Sequence, residues 1–139
     1  MSDPPDWSGA QAPSLDDFVT VAEAALARVP ERFLTVVGEV EMRIAEFADD
    51  EVLDDLGIED PFELTGLYQG HNLTKRSLFD SGQHPSQLFL YRRPILDEWC
   101  ERGDVTLGEL VAHVLVHEIG HHFGLSDEDI EQIEREEVR

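Results

Sequence analysis

The sequence predicts a single domain of the α+β class, and three observations support that prediction. The chain has 139 residues, enough for one hydrophobic core but too few for a second lobe. Apolar residues recur at helical spacing near both ends of the chain, from Phe18 to Leu26 and from Leu107 to Ile119. Between those segments, short stretches alternate apolar with polar residues, as strands with one solvent-facing side do.

The first predicted element of the domain is a helix. Residues 1–13 hold three prolines and little apolar periodicity, which predicts a flexible arm ahead of one domain over residues 14–139. Ser14 and Asp17 stand at the spacing of a capping pair, so the helix is expected to begin there. Pro30 is expected to interrupt it.

The middle of the chain contains the strand candidates. Three segments have the alternation or the apolar composition of strands: 36–47, 64–68 and 87–92. Residues 51–57 fit a short acidic helix that ends at Gly57. Residues 70–87 form the longest irregular segment, and long loops often carry function. Pro94 is expected in the first turn of a helix that follows the last strand.

A central helix is predicted near the C-terminus. Thr106 and Glu109 are spaced to cap it, and its apolar residues cover much of its circumference. Such a helix should be buried. Two histidines and a glutamate inside it would be costly without partners, and a bound cation would supply those partners.

The segment from His117 to Asp127, HEIGHHFGLSD, has the residue types and spacing of a zinc site. His117 and His121 are four residues apart, so their rings project from one face of the helix and can bind one metal ion. Glu118 points about 100° further round, where it can act as general base on a water at the metal. Gly124 can end the helix in the left-handed conformation and turn the chain back. Asp127 is therefore the predicted third ligand.

Other interpretations of these residues stay open. A buried helix can hold two histidines by accident, and Asp127 can complement the dipole of a last helix capped by Ser126 and Asp129. His113 extends the histidine stripe, but eight residues of helix separate it from His121, about 12 Å, which is too far for one ion. It is expected to support a ligand or simply to be buried. Two loop histidines are expected to be solvated: His71 and His84.

The charge of the chain excludes one class of partner. The formal net charge is -21, from 31 acidic and 10 basic residues, and it would repel a phosphate backbone. Nucleic acid is therefore not expected as a partner. The charge is explained either by solubility or by a cleft that selects basic peptides.

Features of the N-terminus and of cysteine usage indicate the compartment. The single cysteine, Cys100, cannot form an internal disulfide, and MSDPPDWSGA lacks the basic and apolar regions of a signal peptide. No apolar run approaches the roughly 20 residues that span a bilayer. We therefore expect a cytoplasmic protein without a membrane partner.

The segment HEIGHHFGLSD resembles the H-E-x-x-H-x-x-G-x-x-D motif of the small bacterial zincin-like metallopeptidases, also called mini-zincins. The resemblance extends, through less specific residues, to three other segments: 63–70, 87–95 and the helix near Phe18. It implies a compact zincin-like domain in which a small mixed sheet packs against helices. It also implies one Zn²⁺ per chain, bound by His117, His121 and Asp127, and peptidase activity by analogy.

The chain departs from the larger metzincins, which share the opening of this motif. Those proteins usually have histidine as third ligand and a methionine turn downstream, whereas Met1 and Met42 both precede the motif here. Zincins usually bind extended peptides along an exposed sheet edge, so by resemblance the strand at 87–92 is one candidate for that edge. Ordinary sheet core is the alternative.

The function that follows is a zinc-dependent peptidase in which Glu118 is the general base for a metal-activated water. Two alternatives remain: a metal-binding interaction module without turnover, and a metal-dependent hydrolase of a non-peptide substrate. The partner is a peptide or protein substrate, with basic peptides the class that the charge would favour. The sequence does not choose an oxyanion-stabilising residue among four candidates: Tyr68, Tyr91, Arg92 and Arg93. Nor does it predict the oligomeric state.

Overall fold

The computed structural model describes residues 4, 6–37, 39–69 and 86–137 of the chain. Six helices and three strands follow one another in these ranges, with one short 3-10 helix among them. The elements are α1 Leu15–Arg28, α2 Glu31–Val37, β1 Val40–Ala45, α3 Asp50–Leu56, the 3-10 helix Pro61–Glu63, β2 Gly66–Gln69, β3 Ser86–Tyr91, α4 Arg92–Arg102, α5 Leu107–His122 and α6 Asp127–Glu137. A small sheet packed against helices confirms the predicted α+β class.

The sheet is mixed, and its strand order is β1-β3-β2. β1 runs parallel to β3, with Val40 opposite Ser86, and β2 runs antiparallel to β3, with Gly66 opposite Leu90. Because β3 is paired on both sides, the prediction that the strand at 87–92 offers an exposed edge is wrong. Within the part of the chain that the structure describes, β1 and β2 are the edge strands.

The composition of β3 explains its central position. Leu88 and Leu90 are fully buried in the main core, while Phe89 and Tyr91 pack in a second, smaller cluster around Leu53. A strand that is apolar on both faces is typical of the middle of a covered sheet. Its two faces were predicted correctly, and its position confirms the alternative expectation of ordinary sheet core.

The main core lies between the sheet, α1 and α5. Ser14 caps α1 as predicted: its hydroxyl accepts the Asp17 N–H at 3.1 Å, and the Asp17 carboxylate accepts the Ser14 N–H at 2.8 Å. Phe18, buried on α1, belongs to the same core cluster as the apolar residues of α5. The buried residues of α5 confirm a buried central helix: Leu110, Val111, Ala112, Val114, Leu115, Val116, Ile119 and Gly120.

Two predicted boundaries differ from the structure. Pro30 does end α1, but its carbonyl accepts the backbone N–H groups of Phe33 and Leu34, so it also begins α2. Proline is tolerated at the start of a helix, because the missing N–H is not needed there. The first strand therefore begins at Val40, not at Val36.

The remaining predictions for this part of the chain have mixed outcomes. The acidic helix α3 ends at Gly57 as expected, with that glycine in the left-handed conformation at φ 70°. The second strand begins at Gly66 because residues 61–63 form the 3-10 helix. Residues 70–85 of the predicted loop, with His71 and His84, lie outside the described residues. The boundary between arm and domain at residue 14 stays a prediction.

Within the described ranges, no helix combines the length and the apolar character that crossing a membrane requires.

Candidate metal centre

α5 carries the two histidines of the motif on one face of its last two turns. The Nδ1 atom of His117 lies 3.2 Å from the Nε2 atom of His121, and the ring centroids are 5.0 Å apart. Val116 and Ile119, on other faces of the helix, are fully buried in the core. The helix is therefore held by its apolar sides while the two imidazoles project from it.

The turn after α5 reverses the chain by backbone hydrogen bonds. Gly124 has φ 75°, and its N–H donates to the carbonyl of His121 at 3.1 Å. The N–H of Leu125 donates to the carbonyl of Gly120 at 2.9 Å. This pair of bonds is the Schellman motif, which satisfies the last carbonyls of a helix and needs a residue that tolerates positive φ. Gly124 has the predicted conformation.

α6 begins at Asp127 and is seated directly on the last turn of α5. Ser126 caps it through a hydrogen bond from the Asp129 N–H. α6 packs against α5 at Gly120, where a Cβ atom would lie 2.9 Å from Cγ1 of Ile130. The absence of a side chain at Gly120 therefore lets Ile130 of α6 approach α5 closely. The packing leaves the Asp127 carboxylate 3.5 Å from Nε2 of His121.

Two of the three distances between the predicted ligands suit a tetrahedral ion. Their donor atoms all lie within 4.8 Å of one another. Bonds of about 2.1 Å at tetrahedral angles separate two donor atoms by about 3.4 Å, close to the 3.2 Å and 3.5 Å found here. Two imidazoles and a carboxylate form a donor set of catalytic zinc sites, with the fourth position left open. The side chains of His121 and Asp127 are 53% and 81% exposed, which gives access from solvent.

The surroundings of His117 favour its metal-binding form. Burial lowers the pKa of His117, and the neighbouring His113 and His121 lower it further, against the opposing effect of Glu134 and Asp127. A lowered pKa keeps the imidazole neutral near pH 7. Only the neutral ring has a lone pair to donate to a metal ion.

Glu118 lies against the edge strand β2. A Cβ atom on Gly66 would lie 2.9 Å from Cγ1 of Val114 and 3.5 Å from Cγ of Glu118, so this glycine lets the strand approach α5 closely. Burial raises the pKa of Glu118, and His121 partly opposes that effect. A carboxylate with a raised pKa is a stronger base. Sequence reasoning did not identify this approach, because Gly66 and Glu118 lie on different elements far apart in the chain.

A second histidine pair was missed by the sequence reasoning. Nδ1 of His113 lies 2.7 Å from Oε1 of Glu134 on α6, and the ring centroids of His113 and His117 are 4.3 Å apart. The prediction that His113 does not share an ion with His121 left open a set with His117 alone. The i,i+4 spacing of His113 and His117 was the available signal, but the third member depends on how α6 packs.

The two tyrosines proposed as oxyanion-stabilising residues have different environments. Tyr91 is buried, and its pKa is raised by burial and then by the charges of Asp49 and Glu118. The hydroxyl of Tyr68 is buried without a hydrogen-bond partner among the described residues. The Tyr68 ring packs edge-on against His122, with centroids 4.5 Å apart. Tyr91 is therefore close enough to Glu118, the candidate base, for the charge of that carboxylate to raise the pKa of the phenol.

The two arginines are engaged in other contacts. Arg92 donates through Nε to the carbonyl of Pro13 at 2.6 Å and through Nη1 to the Glu46 carboxylate at 2.9 Å. The guanidinium of Arg93 lies 5.8 Å from the ring centroid of Phe47. These contacts hold the start of α4 against the residues that follow β1 and, through Arg92, against Pro13 before α1, so a structural role explains both arginines.

Comparison with known proteins identifies the family. The profile of the family described as "Zincin-like metallopeptidase" matches residues 37–137, from before β1 to the end of α6. The match covers the strands, the helix with both histidines and the helix that begins at Asp127. The chain therefore belongs to the zincin-like metallopeptidase family. No curated protein gives a significant match.

Proposed function

We propose that this chain is a zinc-dependent peptidase that binds one Zn²⁺ through His117, His121 and Asp127, with Glu118 as general base. The observation that supports it best is a group of three donor atoms within 4.8 Å of one another, two of whose distances suit a tetrahedral ion, beside a half-buried carboxylate. The family to which the chain belongs implies zinc and peptidase activity. The reaction is hydrolysis of a peptide C–N bond.

Each protein group has a defined task in that reaction. When bound, zinc would supply a Lewis acid that polarises the carbonyl and makes a water more acidic. Glu118 takes one proton from the attacking water and gives it to the leaving amine nitrogen. Burial raises the pKa of Glu118, so its carboxylate binds a proton more readily near neutral pH than an exposed glutamate does. His117 and His121 keep their positions because α5 is buried on its other sides.

The edge strand β2 is the proposed seat of an extended substrate. Gly66 of this strand lies against the Glu118 side chain, and among the described residues only β3 pairs with β2. A peptide that adds to β2 would gain backbone hydrogen bonds without requiring a particular sequence. The net charge of -21 favours peptides with basic residues, since opposite charge raises the rate of encounter.

The decisive test replaces the base and keeps the metal. Glu118→Gln preserves shape but cannot accept the proton, so we expect turnover to fall by about 10²–10⁴-fold. Zinc content should stay at one ion per chain. The assay compares cleavage of a peptide library enriched in basic residues, with zinc content of the same samples measured by elemental analysis.

A matched control removes the same charge elsewhere. Glu131 lies on α6 with its side chain 68% exposed, so Glu131→Gln should leave turnover unchanged. If Glu118→Gln cleaves as fast as the wild type, Glu118 is not the base. Zinc binding without cleavage by the wild type of any peptide or folded protein would favour the metal-binding interaction module.

A further inference from the structure

A second group of metal-binding side chains adjoins the first. It consists of His113, His117 and Glu134, whose donor atoms also lie within 4.8 Å of one another. α6 runs back along α5, which brings Glu134 beside His113, while Asp127 at its start lies beside His121. The same pair of helices therefore presents two sets of two imidazoles and one carboxylate.

We propose that His113, His117 and Glu134 form a second site for a divalent transition metal such as zinc, and that the two sites exclude each other. The donor set suits zinc, because it again combines nitrogen ligands with one carboxylate oxygen. Both sets need His117. A neutral imidazole has a lone pair on only one of its nitrogens, so His117 binds one ion at a time.

The second set is held more firmly before any metal binds. The side chains of His113 and Glu134 are 36% and 28% exposed, against 53% and 81% for His121 and Asp127. Side chains that are already restricted lose less conformational entropy when they bind an ion. The second site can therefore compete with the first for an ion, even though its side chains are less accessible to solvent.

One adjustment is needed for an ion to enter. The 2.7 Å contact of His113 with Glu134 has the length of a hydrogen bond, whereas two ligands of one tetrahedral ion are about 3.4 Å apart. The ion would replace the proton in that bond, and the two side chains would separate by less than about 1 Å. A hydrogen bond that only joins α6 to α5 is the alternative explanation of the pair.

A metal ion in the second site would leave the proposed catalytic site without its ion. An ion in the second site lacks two of the three ligands of the proposed catalytic site, His121 and Asp127. One turn of helix, about 5.4 Å, separates the two positions along α5. The chain would thus have a metal-loaded form distinct from the catalytic one, and total metal content would not equal occupancy of the catalytic site.

Cobalt binding to the full, metal-stripped chain tests this inference. Co²⁺ is titrated in competition with a chelator, and its visible absorption reports the ligands. Four variants are compared with the wild type: Asp127→Asn, Glu134→Gln, the two combined, and Asp127→Asn combined with the control Glu131→Gln. We expect Asp127→Asn to bind one Co²⁺ with an altered spectrum. Adding Glu134→Gln to it should lower the affinity by about 10-fold or more, while adding Glu131→Gln should not.

The outcomes separate the two sites. If Glu134→Gln weakens Co²⁺ binding in the Asp127→Asn background no more than the control does, the second site is overturned. If Asp127→Asn alone abolishes binding, the second site is also overturned and the catalytic site stands. If Glu134→Gln alone abolishes binding while Asp127→Asn does not, the second site holds the ion and the proposed catalytic site fails. A wild type that binds no Co²⁺ overturns both sites. Unchanged far-UV circular dichroism checks that each variant is folded.

Discussion

The substitution Gly120→Ala tests how α6, and with it Asp127, is seated on α5. In most helix interiors alanine is more stable than glycine by about 1 kcal/mol. Here the new methyl group would lie 2.9 Å from Cγ1 and 3.0 Å from Cδ1 of Ile130, a side chain with no exposed surface. Overpacking of this kind costs about 1–3 kcal/mol. The expected net effect is a loss of about 1 kcal/mol in the free energy of unfolding, within a range of roughly 0–2 kcal/mol.

The same helix offers a matched control. At Gly108 the nearest atom to a new Cβ is Oγ1 of Thr106 at 4.0 Å, so Gly108→Ala meets no obstacle. It should gain about 1 kcal/mol from helix propensity. The two alanine variants should therefore differ by about 1–3 kcal/mol, which is the packing penalty at Gly120.

Urea unfolding followed by circular dichroism measures both variants. A chelator is present throughout, because a bound metal would add its own stabilisation. Ile130→Val removes one methyl group from the clash, so its usual cost of about 0.5–1.5 kcal/mol should shrink in the Gly120→Ala background. The reasoning is refuted if Gly120→Ala is as stable as Gly108→Ala. Co²⁺ affinity should also fall in Gly120→Ala, because a displaced α6 carries Asp127 away from His121.

Two further predictions concern the edge strand and the buried phenol. Gly66→Ala would place a methyl group 2.9 Å from Cγ1 of Val114 and 3.1 Å from the Phe89 carbonyl oxygen. We therefore expect the free energy of unfolding, measured in urea, to fall by about 1–3 kcal/mol. We also expect a lower kcat/KM, because the displaced strand would move Glu118. Wild-type stability and turnover in that variant would contradict the packing described here. Burial raises the pKa of Tyr91, so the folded chain holds the phenol proton more tightly than the unfolded chain does. Above about pH 10 the unfolded chain releases this proton first, so the free energy of unfolding falls as the pH rises further. The difference in absorbance at 295 nm between the wild type and Tyr91→Phe should show ionisation above that pH; ionisation at or below pH 10 would contradict the prediction.

Local sequence signals predicted the caps and turns of the fold well. Ser14 with Asp17, and Thr106 with Glu109, form hydrogen bonds between residues three positions apart. Gly57 has the left-handed conformation expected at the end of a helix. Such features depend on neighbouring residues alone, so they can be predicted without knowing the rest of the fold.

Features that depend on distant residues were predicted less well. Apolar alternation identified the strand at 87–92, but it did not show that β3 lies in the middle of the sheet. Strand order depends on which segments pair across the chain, and one strand's pattern is compatible with several orders. The helix α2 was missed for two reasons. Pro30 was expected only to end α1, and the predicted first strand began at Val36, which lies inside α2.

The sequence by itself determined the spacing of the candidate site. His117, Glu118 and His121 have fixed relative positions once α5 forms, since helix geometry sets them. Gly124 then turns the chain within three residues of Asp127, so all the proposed ligands lie in one short segment. The same segment carried the resemblance to the family that the chain belongs to.

Tertiary structure alone decided what surrounds those residues. The contact of Gly66 with Glu118 joins positions 52 residues apart, and the pairing of His113 with Glu134 joins two helices. Both depend on how side chains of different elements fill the space between them, and a linear sequence does not specify that packing pair by pair. Glu118 therefore acquires its burial, and His117 its neighbours His113 and Glu134, only when β2 and α6 pack against α5.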